Sequence, residues 1–87
     1  MSIQDQFVEA QGKLKTLPAQ DNEVLLNLYA LYKQSTEGDV SGNKPGMFDI
    51  VKKAKYEAWA SRKGLSKESA MAEYVKLVST LVEEAAK

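Results

Sequence analysis

Leu28-Tyr29-Ala30-Leu31-Tyr32-Lys33-Gln34 puts two aromatic rings and one cation on neighbouring turns of what must be a helix. At ~100° per residue, Val24, Leu25, Leu28, Leu31 and Tyr32 form one apolar arc. The arc runs on through Tyr29 to Leu26, with Asn27 and Gln34 well outside it. Lys33 falls inside, between Tyr29 and Leu26. A lysine among apolar neighbours must carry its ammonium to water or meet an anion, because burying it unpaired costs several kcal/mol or more. The stretch therefore reads as a ligand-facing surface.

Upstream of it, Ile3, Phe7, Ala10, Leu14 and Leu17 recur every three or four residues, the stripe of an amphipathic helix over Ile3 to Leu17 that stops at Pro18. Asp21 or Asn22 then accepts the free N–H groups at the start of the second helix, expected from about Glu23 to Thr36. Gly38 is placed to end it in the left-handed conformation. Glu37 to Met47, with Gly38, Gly42, Pro45 and Gly46, is a loop with a Pro-Gly turn. Its length suits either a binding loop or a crossover between helices that point the same way.

Downstream, Asp49 is expected to cap a third helix from about Ile50 to Lys63, stopped by Gly64. Ile50, Val51, Ala54, Ala58 and Trp59 make its apolar arc, and Lys55 interrupts that arc much as Lys33 interrupts the other. Ser66, with Glu68 in the first turn, opens a fourth helix through about Glu84. Ala70, Met71, Tyr74, Val75, Leu77, Val78, Leu81 and Val82 form its buried face. There is no strand pattern, internal repeat or extended heptad run, so the expected fold is all-α, a single four-helix domain over residues 1–87.

Composition narrows the chemistry. Of the 87 residues, 44% are hydrophobic and 28% charged, as in a soluble globular domain. Cysteine and histidine are both absent, which excludes disulfides, thiolate catalysis and the commonest general base and metal ligand. Twelve basic residues balance 12 acidic ones. From Lys44 to Lys67, however, seven basic residues face only Asp49 and Glu57. The N-terminus lacks a basic n-region and an apolar h-region, and no apolar run approaches the ~20 residues of a membrane span. A cytoplasmic address is expected.

Tyr29, Tyr32, Tyr56, Trp59 and Tyr74 lie at spacings that ordinarily fill a helical core, and Lys52, Lys53, Arg62 and Lys63 read as a solvated face. Lys33 and Lys55 fit that ordinary reading less well. Beside tyrosines on different helices, they make a pocket for a phosphate attached to something flat: lysine supplies the charge, tyrosine a hydroxyl, and a ring can stack on a base. A neutral chain with a pI near 6.2 argues against nucleic acid. No P-loop, G-x-S-x-G or H-E-x-x-H is present, and no nucleophile is paired with a base.

Further elements surround the opening stretch: Gly38-Asp39-Val40, Lys44-Pro45-Gly46-Met47, Asp49, Lys53-Ala54-Lys55-Tyr56-Glu57-Ala58-Trp59 and Lys63-Gly64-Leu65-Ser66-Lys67-Glu68. Together, in order and spacing, they closely resemble the acyl-CoA-binding protein family over essentially the whole chain. The resemblance implies an up-down-down-up four-helix bundle that binds medium- to long-chain acyl-CoA thioesters without turning them over. It implies that Tyr29, Tyr32, Lys33, Lys55 and Tyr74 grip the phosphorylated ribose and adenine, with Phe7 close by. Lys15 or Lys13 would lie on the pyrophosphate side, and Leu25 and Leu26 would line the acyl path. It further implies a monomer with no cofactor, no metal, no nucleic-acid partner and no stable membrane insertion. Tyr56 stands where the family usually has tryptophan, Ser35 where it has alanine and Lys44 where arginine is common.

Two other classes stay open at this point. One is a protein-interaction module using the basic third helix, with binding to an acidic partner that salt would abolish. The other is an accessory enzyme acting on the thioester.

Overall fold

The structure, a computed structural model, describes residues 2–86. It contains α1 (Ile3–Leu14), α2 (Asn22–Glu37), α3 (Ile50–Ala60) and α4 (Lys67–Ala85), with no strand among the described residues. The all-α expectation holds.

Three helix starts follow from side chains that take up otherwise unpaired N–H groups. Ser2 accepts from Asp5 N at 3.1 Å, Asp21 from Val24 N at 2.9 Å and Ser66 from Ser69 N at 3.1 Å. Asp49 does occupy the cap position of α3, but its side chain accepts no such bond. Only its backbone participates, accepting from Lys53 N at 2.8 Å and donating to Gly46 O at 3.0 Å. The role assigned to its carboxylate is therefore corrected.

Two helices end earlier than the sequence suggests, α1 at Leu14 rather than Leu17 and α3 at Ala60 rather than about Lys63. Past Leu14 the chain tightens into three-residue turns, with Thr16 N donating to Lys13 O and Leu17 N to Leu14 O, because Pro18 disfavours helical backbone at the residue before it. Past Ala60 the same tightening links Arg62 N to Trp59 O and Lys63 N to Ala60 O, up to Gly64 at φ +93°. Gly38 ends α2 with φ 83°, but its ψ of −149° is extended rather than the expected left-handed helical value. Only glycine adopts that combination at ease.

Side-chain pairings fix the helix directions. Tyr29 meets Lys55 and Lys33 meets Trp59, so residue numbers rise together along α2 and α3, which run parallel. Gln34 instead reaches Leu65, just before α4, whereas Asn27 shares a groove with Leu77 and Thr80. Hence α4 runs antiparallel to α2. With the short link between α1 and α2, the order is up-down-down-up, and residues 38–49 make the long crossover. The core joins Phe7 and Ala10 of α1, Leu28 and Leu31 of α2, and Tyr74, Val78 and Leu81 of α4, with Met71, Val75, Leu77 and Val82 packed around it. The buried face expected for α4 is the one observed.

Two sequence expectations fail in the middle of the chain. Gln34, placed outside the apolar arc of α2, is fully buried. The reason is that α2 packs on α4 and α3 at once, so its far side is covered too. Gln34 Nε2 donates to Asp39 Oδ1 at 2.9 Å and to Leu65 O at 2.8 Å, fastening α2 to both loops. On α3, Trp59 is buried but Ile50 and Val51 are exposed. α3 packs closely against α2 alone, and its first turn stands clear of it.

Candidate functional site

The side of α2 left uncovered by α4 carries Tyr29, Tyr32 and Lys33, spaced i, i+3 and i+4 and hence neighbours on the helix surface. Tyr32 stacks on Phe7 of α1, with ring centroids 6.0 Å apart. Phe7 meets Tyr74 of α4 edge-on at 4.9 Å. Three helices thus contribute to one aromatic cluster, of which Tyr32 stays exposed. Burial, and secondarily the nearby Tyr32, push the Tyr74 hydroxyl above its usual range, so at neutral pH it keeps its proton.

On the other flank, α3 supplies a complementary pair. The Lys55 ammonium lies 5.3 Å from the Tyr29 ring centroid, and the Lys33 ammonium 4.9 Å from that of Trp59. Each helix carries an aromatic ring and a lysine four residues apart, in opposite order: Tyr29 then Lys33 on α2, Lys55 then Trp59 on α3. Because the helices run parallel, each lysine lands on the other helix's ring. This answers the anomaly for Lys33, which is half-buried, since a ring face partly replaces the water its ammonium loses; Lys55 stays exposed. Lys33 also pairs with Glu37, one turn further along α2.

A groove of about 310 Å³ opens beside this ladder, lined by Tyr29, Pro45, Lys52, Lys55, Tyr56 and Trp59. The Trp59 indole N–H donates to Gly38 O at 2.8 Å, and the Tyr56 hydroxyl to Gly42 O at 3.3 Å, so the crossover loop is tied to the groove's wall. Lys52, Tyr56 and Pro45 were not assigned from the sequence, nor was Trp59 as the seat of Lys33. The matched i, i+4 pairs of Tyr29/Lys33 and Lys55/Trp59 were the available signal; reading it required knowing that the two helices are parallel.

The other expected site residues divide. Leu25 is exposed and Leu26 half-buried on α2. Lys15 caps α1 and is exposed, with no ion pair among the described residues. Lys13 pairs with Glu9 at 3.1 Å and lines a groove between α1 and α4 with Val75 and Ser79, apart from the Tyr29 ladder. Among the described residues no group of three or more carboxylates is arranged to hold a metal, and no helix is long and apolar enough to cross a membrane.

A family model described as acyl CoA binding protein matches residues 4–78. The chain belongs to the acyl-CoA-binding protein family. An acyl-CoA-binding protein of Fritillaria agrestis is 47% identical over 87 residues, 99% of this chain and 100% of the relative. Acyl-CoA-binding protein homolog 1 of Caenorhabditis elegans is 49% identical over 77 residues, 87% of this chain and 90% of the relative. The crystal structure of Oryza sativa acyl-CoA-binding protein 2 superposes with a TM-score of 0.94 at 45% identity, covering 98% of this chain and 96% of that one. The up-down-down-up bundle is thus the architecture of the acyl-CoA-binding protein family as well as the reading from side-chain pairings.

Proposed function

We propose that this chain is a non-catalytic carrier of medium- to long-chain acyl-CoA thioesters, acting as a cytoplasmic monomer. Membership of the family supports the ligand class. The observation that carries the assignment of the site is the interlocked ladder of Tyr29, Lys33, Lys55 and Trp59, which holds two ammonium groups beside aromatic faces and an open groove. Lys33 and Lys55 meet the phosphates of the head group, while Tyr29, Tyr32 and Tyr74 offer rings and hydroxyls to its base and ribose, with Phe7 backing Tyr32. Leu25 and Leu26 border the acyl path, and Lys15, rather than the Glu9-paired Lys13, is the cation available to the pyrophosphate.

The energetics divide the labour. Burying a sixteen-carbon chain contributes at most about 12 kcal/mol, at ~0.8 kcal/mol per methylene and before the costs of association. Charge-assisted hydrogen bonds of about 1.5–3 kcal/mol each then distinguish a CoA ester from a free fatty acid. The chain gives affinity and the head group gives selectivity.

Isothermal titration calorimetry with palmitoyl-CoA, free CoA and palmitate tests this reading. One-to-one binding of the thioester, with both fragments much weaker, is the expected result; no binding of the thioester would overturn it. Mass spectrometry of the recovered thioester should show it intact.

A further inference from the structure

α3 and α4 each pack on α2 but not on one another, so the side of α2 between them floors a channel. Asn27 and Leu31 supply that floor. Asn27 lies about 160° around α2 from Tyr29 at ~100° per residue, so the channel opens away from the ladder and shares no lining residue with the groove beside it. It has two parts, of about 500 Å³ and about 410 Å³, which meet at Arg62 and Glu73. Arg62 is the group here that the fold leaves unanswered. Its Nε is buried without a hydrogen-bond partner among the described residues, and its Nη1 stands 3.8 Å from Glu73 Oε1, beyond hydrogen-bond reach. The side chain is nonetheless 30% exposed where the two parts meet. Lys76 flanks it in one part and Lys63 in the other, so three cations stand against Glu73 alone among the lining residues. Leu31 and Leu77 give the first part an apolar wall.

Charge and shape select the occupant. A guanidinium with free donors takes a carboxylate in two parallel hydrogen bonds, and the leucines beside it ask for an apolar group on the same molecule. A second copy docked through the same channel would set three cations against three. A lipid surface has nothing to receive, since none of the exposed large hydrophobic residues lines the channel. The phosphates of a nucleic acid would meet Glu73 in the midst of the cations and leave the leucines without partners. From Glu73 to Thr80 the wall formed by α4 runs about 10 Å, room for about three residues of extended chain, whose side chains at i and i+2 point the same way. We infer that the channel docks an extended acidic segment of a partner protein. A carboxylate of Asp or Glu sits on Arg62, an apolar side chain two residues away sits on Leu31 and Leu77, and Lys63 and Lys76 add long-range attraction. This docking does not rest on what the groove beside Tyr29 binds, and a partner seated here leaves that groove open.

The test is selection of random seven-residue peptides, displayed on phage, against the wild-type protein, with Arg62→Gln as the counter-target. Enrichment of peptides with Asp or Glu two residues from Leu, Ile or Met is expected. A synthetic peptide from that pool should bind Arg62→Gln about tenfold more weakly and Lys76→Glu about threefold more weakly, and its binding should fall with added salt. In the amide spectrum of the nitrogen-labelled protein it should shift Asn27, Arg62 and Thr80 and leave Tyr29 and Lys55 in place. Both variants should keep the circular dichroism of the wild type. Selection that enriches no acidic motif, equal peptide binding by Arg62→Gln, or shifts centred on the groove beside Tyr29 would each overturn the proposal.

Discussion

The Lys33 ammonium lies 4.9 Å from the centre of the Trp59 ring, and the same indole donates its N–H to Gly38 O at 2.8 Å. One side chain thus positions a cation and closes the end of the helix that carries it. The ammonium is partly desolvated before any ligand arrives, and little rotamer freedom remains to be lost on binding.

Replacing either cation of the ladder should weaken acyl-CoA binding while leaving the bundle intact. Lys33→Ala and Lys55→Ala are each expected to reduce affinity by about 10- to 100-fold, the equivalent of one charge-assisted hydrogen bond. Calorimetry measures the loss and circular dichroism checks the fold. Unchanged affinity in both variants would move the site elsewhere.

Glu37 competes for the Lys33 ammonium that a phosphate would use. Because this pair is partly exposed it is worth only a few tenths of a kcal/mol, so Glu37→Gln should tighten acyl-CoA binding by about twofold at low ionic strength. Weaker binding by the variant would show that the carboxylate helps the ligand instead.

Gln34 should matter for stability more than its neighbours in the motif. Gln34→Ala removes two hydrogen bonds from a fully buried position and leaves the Leu65 carbonyl without its donor, a loss of about 2–4 kcal/mol in urea denaturation. Gln34→Glu should do no better, since it sets an acceptor against two acceptors. Trp59→Phe keeps a ring for Lys33 but gives up the bond to Gly38, at about 1–2 kcal/mol.

Asp39 makes part of this fastening sensitive to acid. Hydrogen bonds from the Gly64 N–H and the Gln34 amide, with the Lys63 charge adding to them, hold its carboxyl below the usual 3.8. A folded-state pKa below the unfolded one gives stability that is complete above the unfolded pKa and is lost as pH falls through the folded one. The wild type should therefore exceed Asp39→Ala in urea midpoint at neutral pH, and the gap should narrow on acidification below pH 3.8. A gap independent of pH would detach the effect from the carboxylate.

The helices were legible because their starts and faces depend on local chemistry. Asp21 and Ser66 open α2 and α4 as the sequence suggests, and the apolar stripe of α4 packs as its spacing requires. Gln34 was misplaced because a helical wheel assumes one covered side, whereas α2 is covered on two. Ile50 and Val51 were misplaced for the converse reason: α3 has a single neighbouring helix, and their stretch extends beyond it. The tyrosines and lysines proposed for the site stood out as residues, Lys33 and Lys55 through their apolar surroundings. Their partners were not, because Tyr29–Lys55 and Lys33–Trp59 depend on the relative direction of two helices separated by a long crossover.

That crossover also has a kinetic consequence. α3 packs on α2 alone among the helices and is tied to the crossover loop by Tyr56, and its firmest attachment, Trp59, lies near its C-terminal end. Its amide protons should exchange with solvent sooner than those of α1, α2 and α4, earliest in the turn after Asp49, because local opening there breaks few buried contacts. Such opening swings away the wall that carries Lys55 while the core between Phe7, Leu28 and Val78 stays closed. A ligand could come and go at the rate of a fraying helix, with no need for the domain to unfold.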